Sequence, residues 1–220
     1  MEAVLDELRN LGAVYLDRHF VYSSGKHGPG YICMDPMFTS PELMTQIGEG
    51  LTRPFLGAFD IIVAPAVGGV ALGTYTVIAH RSRTGARVPF VWADKGPDGF
   101  FRFERLGFAE MLNGKRVLAV EDLVTTGDSV MKVCQAAEAC GGTIVGVSAV
   151  CNRGGVTAET LGVPRLESLA NVNFQAVDAD GCELCRSSVP IVVDAPLGHG
   201  AEYAAEHPGY KGGYVELLAA

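Results

Sequence analysis

Residues 117–129, VLAVEDLVTTGDS, form the most informative segment of this chain. It opens with a continuous apolar run, residues 117–120, which is typical of a strand buried on both faces of a parallel sheet. Glu121 and Asp122 follow at the carboxyl end of that strand, where ligands of open α/β sheets bind. Paired carboxylates at this position can accept hydrogen bonds from ribose hydroxyls or help to hold a hard cation.

The residues after the two acids predict a phosphate site at the start of a helix. Hydroxyls and closely spaced backbone N–H groups come from Thr125, Thr126, Gly127, Asp128 and Ser129. Apolar residues then recur at helical spacing, at Val130, Val133, Cys134 and Ala137. The turn therefore lies at a helix N-terminus, where free N–H groups and the macrodipole favour a phosphate. Ordinary helix capping is the alternative explanation for any single one of these residues.

The rest of the chain alternates between strand and helix patterns. Buried strands are predicted at residues 60–64, 88–92 and 143–150, and helices at residues 70–79 and from Ser40-Pro41-Glu42 onward, with the proline in the first turn and Leu43, Ile47 and Leu51 as the apolar stripe. This alternation predicts an α/β fold with a doubly wound parallel sheet. We expect one domain spanning residues 1–220, with residues 1–40 and part of the C-terminal tail as a hood.

The bulk properties narrow the class of protein. The 220 residues are 48% hydrophobic, which is enough to bury a full core. The formal charge of -8 and the pI near 5.1 argue against a general binder of nucleic acid or of membrane surfaces. No signal-peptide pattern and no apolar run of about 18 residues occurs, so the cytoplasm is the expected compartment.

The acids, the Thr-Thr-Gly turn and the following hydroxyl resemble the phosphoribosyl pyrophosphate (PRPP) signature of type I phosphoribosyltransferases. The resemblance implies that Glu121 and Asp122 contact the ribose 2′ and 3′ hydroxyls, with Asp122 as the metal ligand. It assigns the 5′-phosphate to Thr125, Thr126, Gly127, Asp128 and Ser129. Asp128 replaces a small neutral residue, so we expect its carboxylate to point outward and only its N–H to contribute. The competing phosphate motif is a P-loop, but the sequence contains no Gly-x-x-x-x-Gly-Lys-Ser/Thr.

A glycine turn follows the predicted strand at residues 60–64 and resembles the pyrophosphate loop of the same family. The resemblance assigns pyrophosphate binding to Ala66, Val67, Gly68 and Gly69. Adjacent glycines let the backbone approach an anion closely, and the helix behind them adds its positive end. Orotate phosphoribosyltransferases often carry a lysine at the place of Gly68, so one pyrophosphate cation is missing here.

Residues 92–108 correspond to the mobile loop that closes over the reaction centre in this family. Orotate enzymes typically carry an Arg-Lys-x-x-Lys cluster with a histidine there. This chain has Asp94 at the arginine place, then Lys95, with Arg102 and Arg105 further on. Lys95 is therefore the predicted catalytic cation, beside Glu121 and Asp122 as the predicted catalytic acids.

Two segments resemble the base site of orotate phosphoribosyltransferases. Residues 20–31, FVYSSGKHGPGY, resemble the segment F-x-L-x-S-G-x-x-S-P-x-Y that frames the base, which points to Lys26 and Tyr31. Asn152-Arg153 resembles an Asp-Arg pair of that family. The guanidinium of Arg153 is expected to face the orotate carboxylate, because two parallel N–H groups suit two oxygens.

The resemblance implies an enzyme that transfers the 5-phosphoribosyl group of PRPP to orotate, forms orotidine 5′-monophosphate and releases pyrophosphate. It further implies Mg²⁺ as cofactor, a homodimer, and no nucleic acid or membrane as partner. Two alternatives stay open: a phosphoribosyltransferase for a purine or another base, and a PRPP-binding regulatory protein without catalysis.

The six cysteines are too sparse for a disulfide scaffold. Cys182 and Cys185 have C-x-x-C spacing, which suits two ligands of a zinc knuckle, a redox pair or two unliganded thiols. A structural zinc needs two more ligands. Cys151, His199 or His207 could supply them only if the fold brings these residues close.

Overall fold

This computed structural model describes residues 2–218, and the side chains from residue 4 onward. Residues 1, 219 and 220 of the predicted domain lie outside the described part. The strands are β1 (Val14–Tyr15), β2 (Phe20–Val21), β3 (His27–Gly28), β4 (Tyr31–Ile32), β5 (Ile61–Pro65), β6 (Phe90–Lys95), β7 (Phe101–Arg102), β8 (Arg116–Val124), β9 (Thr143–Asn152), β10 (Leu166–Asn171), β11 (Ile191–Val192) and β12 (Tyr214–Val215). The α-helices are α1 (Glu2–Asn10), α2 (Pro41–Thr52), α3 (Gly68–Thr84), α4 (Phe108–Leu112), α5 (Asp128–Ala139), α6 (Ala158–Leu161), α7 (Glu183–Arg186) and α8 (Gly200–Glu206).

The chain divides into two compact units. The first contains residues 1–5 and 37–172, and the second contains residues 6–36 and 173–220. The prediction of a single domain with a hood stays a prediction. No helix within residues 2–218 combines the length and the apolar character that crossing a bilayer requires.

A six-stranded sheet forms the centre of the first unit, in the order β10-β9-β8-β5-β6-β7. Every neighbouring pair is parallel except β6 and β7. The chain leaves β5 toward β6 on one side and leaves β8 toward β9 on the other, so the order reverses between β5 and β8. Ligands of such sheets bind at this switch point, beyond the carboxyl ends of the strands.

Helices cover both faces of this sheet. On one face, Val133 and Ala137 of α5 join a core with Ile61, Val63 and Val117, all fully buried. On the other face α3 approaches so closely that a Cβ added at Gly69 would lie 2.6 Å from the Cβ of Ala64. Alternate strand residues thus serve opposite faces, which explains the continuous apolar runs in the sequence.

Helix α2 begins at Pro41, as the sequence predicts. The Ser40 hydroxyl accepts a hydrogen bond from the N–H of Leu43 at 3.2 Å, and Pro41 occupies the first helical position. Leu43, Ile47 and Leu51 are buried, as their helical spacing predicts.

The second unit is built from short pairs of strands. β1 pairs with β4 and β2 pairs with β3, both antiparallel, while β11 and β12 are parallel. The bridges His19–Ile191 and His27–Val177 join the N-terminal segment of this unit to its C-terminal segment. One buried cluster of this unit contains Phe20, Tyr22, Val192 and Leu197.

Candidate active site

The two acids lie within β8 rather than after it. The strand continues to Val124 because Leu123 and Val124 pair with Cys151 and Asn152 of β9. Glu121 is only 7% exposed. The N–H of Asp122 donates to Glu121 Oε1 at 3.3 Å, and the N–H of Leu123 donates to Asp122 Oδ1 at 2.6 Å.

Burial raises the pKa of Glu121 well above its ordinary value, and the neighbouring charge of Asp122 adds to this rise. Two carboxylates so close together disfavour full ionisation of the buried one. A cation or a donated hydroxyl hydrogen at this position would offset the penalty. The pair therefore suits a ligand that carries hydroxyls together with a divalent ion.

The predicted phosphate loop begins where β8 ends. Gly127 has a φ of 82° and caps the N-terminus of α5, a conformation that favours glycine. The carboxylate of Asp128 accepts from Lys132 Nζ at 2.8 Å, and its side chain is 59% exposed. The loop, together with Glu121, lines a cavity of about 160 Å³. The first N–H groups of a helix lack intrahelical partners, so this cavity can receive an anion.

The predicted pyrophosphate loop connects β5 to α3. The peptide bond between Ala66 and Val67 is cis. Gly69 allows the helix to approach Ala64, as described above. A Cβ added at Gly68 would lie 3.1 Å from Oδ2 of Asp122, so this loop and the acidic pair are near neighbours. A lysine at this position would press on the Asp122 carboxylate.

The segment predicted to be a lid loop is a β-hairpin followed by helix α4. Asp94 pairs with Arg102 and Lys95 pairs with Phe101 across β6 and β7. The strand pattern of residues 88–92 thus runs on to Lys95, because the partner strand β7 satisfies its backbone groups.

Acidic side chains neutralise two of the three cations of this segment. Arg102 binds the Asp98 carboxylate through both guanidinium nitrogens. Arg105 Nε donates to Asp94 Oδ2 at 3.0 Å, and its guanidinium stacks on Trp92. Within the described residues, no carboxylate lies within ion-pair distance of Lys95.

A second cavity, of about 230 Å³, brings residues from three predicted elements together. It is lined by Pro65, Ala66, Gly68, Gly69, Lys95, Phe101, Glu121, Asp122 and Ser129. Glu121 and Ser129 also line the cavity of the phosphate loop. The glycine loop, the Lys95 cation and the acidic pair thus meet beside the switch point of the sheet.

Arg153 follows β9 and lies against the phosphate loop. Its Nη2 donates to Thr125 Oγ1 at 3.1 Å. Asn152 is buried and holds the next turn, since its amide exchanges hydrogen bonds of 2.7 and 3.1 Å with the backbone of Val156. The predicted contact between Arg153 and a base carboxylate stays a prediction.

Gly154 is a residue of this site that sequence reasoning missed. Its N–H and that of Arg153 donate to the carbonyl oxygen of Val124 at 3.3 and 2.8 Å. A Cβ added at Gly154 would overlap the carbonyl oxygen of Thr125. The only signal in the sequence was a Gly-Gly pair after Asn-Arg, which does not identify its neighbour.

Lys26 and Tyr31 belong to the second unit. Lys26 lies in the turn between β2 and β3, with its Nζ 3.8 Å from Asp178 Oδ1. The Tyr31 ring packs on Phe20 with centroids 5.5 Å apart. The Tyr22 hydroxyl donates to the carbonyl oxygen of Gly30 at 2.7 Å and fixes the segment between them.

The potential ligands beside the C-x-x-C pair are not the residues that the sequence suggested. The residues grouped with Cys182 and Cys185 are His19 and His27. Cys151, His199 and His207 are not among them. Cys151 is a buried residue of β9 in the first unit, and His207 stacks on Tyr203.

Comparison with known proteins identifies the family. An orotate phosphoribosyltransferase of Thermus thermophilus is 38% identical over 189 residues, covering 86% of this chain and 97% of the relative. One of Caulobacter vibrioides is 35% identical over 191 residues, covering 86% of this chain and 92% of the relative. No protein-family model matches the chain.

Solved structures agree on the fold. The orotate phosphoribosyltransferase of Mycobacterium tuberculosis H37Rv in complex with inorganic phosphate superposes with a TM-score of 0.60 at 22% identity, covering 77% of this chain and 94% of that one. The enzyme of Aeropyrum pernix gives 0.59 at 23% identity over 76% and 93% of the two chains. Given relatives of that name at 30 to 38% identity over most of its length, the chain belongs to the orotate phosphoribosyltransferase family.

Proposed function

We propose that this chain transfers the 5-phosphoribosyl group from PRPP to orotate and releases pyrophosphate. The observation that carries this proposal is the cavity of about 230 Å³ in which the glycine loop, Lys95 and the acidic pair meet. Family membership supplies the substrates, and the cavity supplies groups with the chemistry to hold them.

In the proposed binding mode, each part of PRPP meets a complementary group. The 5′-phosphate lies at the N-terminus of α5, on residues 125–129. Glu121 and Asp122 accept hydrogen bonds from the ribose hydroxyls. The pyrophosphate lies on the backbone of residues 66–69, beside the ammonium of Lys95.

The reaction then depends on positioning and charge. A ring nitrogen of the base attacks C1 of the ribose while the C1–O bond to pyrophosphate breaks. Positive charge develops on the ribose, which the carboxylate of Asp122 stabilises from nearby. Negative charge grows on the departing pyrophosphate, which Lys95 stabilises. Because Arg102 and Arg105 form ion pairs with Asp98 and Asp94, we assign this role to Lys95 alone among the cations of residues 92–108.

Mg²⁺ is the proposed cofactor, and the acidic pair fits it. Asp122 and Glu121 offer carboxylate oxygens, the ligands that hard cations prefer. Burial and, after it, the charge of Asp122 raise the pKa of Glu121, and a bound dication would offset both effects. When bound, Mg²⁺ supplies further neutralisation of pyrophosphate charge.

For the base we propose Lys26, Tyr31 and Arg153 as contacts, on the resemblance of their segments to orotate enzymes. Arg153 has the planar fork that matches a carboxylate. On the same family ground we propose a cytoplasmic homodimer without nucleic-acid or membrane partners.

A panel of bases tests the proposal. The purified protein is incubated with Mg²⁺ and PRPP and with orotate, uracil, adenine, hypoxanthine or xanthine, each separately, and pyrophosphate release is measured. We expect release with orotate only. Release with a different base would replace the proposed substrate. Binding of PRPP without release for any base would support a regulatory protein instead.

A further inference from the structure

Four potential metal ligands meet in the second unit, in a cluster formed by His19, His27, Cys182 and Cys185. Their ligand atoms all lie within 4.8 Å of one another. His19, His27 and Cys182 are at most 1% exposed. We propose that this cluster binds one structural Zn²⁺ through His19 Nε2, His27 Nδ1 and the two cysteine sulfurs. This site is separate from the transferase proposal, which does not depend on it.

The three nitrogen–sulfur distances match the edges of a tetrahedral zinc site. Zinc lies about 2.0–2.1 Å from nitrogen and about 2.3 Å from sulfur, so the edges of the tetrahedron are about 3.5 Å for N–S and about 3.3 Å for N–N. The sulfur of Cys182 lies 3.6 Å from His19 Nε2. The sulfur of Cys185 lies 3.7 Å from the same atom and 3.3 Å from His27 Nδ1.

The two histidines are oriented as ligands. Nδ1 of His19 lies 3.0 Å from the carbonyl oxygen of Val189, so it carries the proton and leaves the lone pair of Nε2 directed into the cluster. Such an outer hydrogen bond to a carbonyl is typical of zinc-bound histidine. Nε2 of His19 and Nδ1 of His27 are 2.8 Å apart, about 0.5 Å closer than an ion would hold them. Nε2 of His27 has no hydrogen-bond partner among the described residues, so no hydrogen bond from that nitrogen opposes a small rotation of the ring.

The charge of the ligands and the enclosure of the site also favour bound zinc over two unliganded thiols. Imidazole binds zinc in its neutral form, through the lone pair of one ring nitrogen. Two thiolates would balance the charge of one Zn²⁺, which makes the buried site neutral. The rings of Tyr203 and Tyr210 pack edge-on against the two histidines. Cys185 lines a cavity of about 450 Å³, which gives an ion a route of entry.

The cluster joins distant parts of the second unit. Cys182 is 163 positions from His19, and Cys185 is 158 positions from His27. Small units often need a metal or a disulfide to stabilise them, and the described cysteines are all free. A zinc ion here would hold the β2–β3 hairpin to α7.

Metal analysis of the whole chain tests the proposal. Protein without a histidine tag is purified in the absence of chelators from zinc-supplemented medium, and its zinc content is measured by mass spectrometry. We expect about one zinc per chain, falling below about a tenth in Cys182→Ser, Cys185→Ser and His27→Asn. Cys33→Ser, a half-buried thiol of the same unit outside the cluster, should keep the full content.

Two measurements on the unmodified chain guard against variants that fail to fold. Replacement of zinc by Co²⁺ should give the visible absorption of a tetrahedral site with thiolate ligands. Removal of zinc should speed tryptic cleavage after Arg186 at least about tenfold, without a change after Arg83 in the first unit. Zinc below about a tenth of an equivalent in the wild-type protein, zinc retained by Cys182→Ser, or a Cys182–Cys185 disulfide in the isolated protein would each overturn the site.

Discussion

Substituting Gly154 by alanine should damage the phosphate loop through backbone displacement. The added methyl group would overlap the carbonyl oxygen of Thr125 and lie 2.7 Å from its carbonyl carbon. Non-bonded carbon atoms prefer a separation of about 3.5 Å or more, so the two segments must part by about 1 Å. Both partners are backbone, so neither can rotate away.

The displacement acts on the residues that would hold the 5′-phosphate. Hydrogen bonds from Arg153 and Gly154 to Val124 tie the two segments together, so a shift at Gly154 is transmitted to the end of β8. Overpacking of this kind costs about 1–3 kcal/mol of stability. A misplacement of about 1 Å at a substrate-positioning group costs about a hundredfold in rate. We therefore expect kcat/KM for PRPP to fall by about two orders of magnitude.

The assay is pyrophosphate release with saturating orotate and varied PRPP, with the thermal unfolding midpoint measured alongside. Gly155→Ala is the matched control. Gly155 has open space around its Cα but a φ of 62°, so alanine there adds strain of about 1 kcal/mol without pushing on Thr125. Activity of Gly154→Ala within about twofold of wild type, or equal losses in both variants, would refute the reasoning from displacement.

Three further predictions concern the acidic pair and the hairpin cation. Asp122→Asn should lower transferase turnover at least about tenfold with an unchanged unfolding midpoint, because it removes charge but not volume; unchanged turnover would exclude Asp122 from catalysis. Lys95→Ala should lower kcat at least about tenfold. Lys115→Ala should not, because Lys115 precedes β8, at the opposite end of that strand from the acidic pair. Equal effects in both variants would contradict the specific role of Lys95. The pKa of Glu121 is raised in the folded state, so the native protein without ligand retains a proton that the unfolded chain releases above pH 4.5. The unfolding midpoint of the wild type should therefore fall as the pH rises above 4.5, until the raised pKa of Glu121 is passed. Glu121→Gln should flatten this decline. Midpoints of the two proteins that fall in parallel with pH would count against a raised pKa of Glu121.

The sequence predicted the strands and loops whose signals are local. The run from Val117 to Val120 identified a buried strand because parallel strands are apolar on both faces. Ser40 and Pro41 identified the start of α2 because capping depends on adjacent residues. The glycine loop at residues 66–69 was found for the same reason.

Most of the missed elements depend on partners far along the chain, and the hairpin of β6 and β7 is the exception. β10 has the sequence LESLAN, which lacks an apolar run, and it is a strand because β9 pairs with it. The hairpin of β6 and β7 replaced a predicted loop because two residues of β7 sufficed to pair with β6. Gly154 was missed because tertiary structure brings it against Thr125. His19 and His27 were missed because tertiary structure brings them to Cys182 and Cys185.

The discontinuity of the second unit has a consequence for the order of events during synthesis. Residues 37–172 of the sheet-containing unit are contiguous and can fold as they leave the ribosome. The hairpin with His19 and His27 emerges earlier, but the segment carrying Cys182 and Cys185 is translated only after residues 37–172. At about 5–20 residues per second, the hairpin waits roughly ten seconds or more for its partner. The second unit can therefore be completed only after residues 37–172 of the sheet-containing unit have been translated.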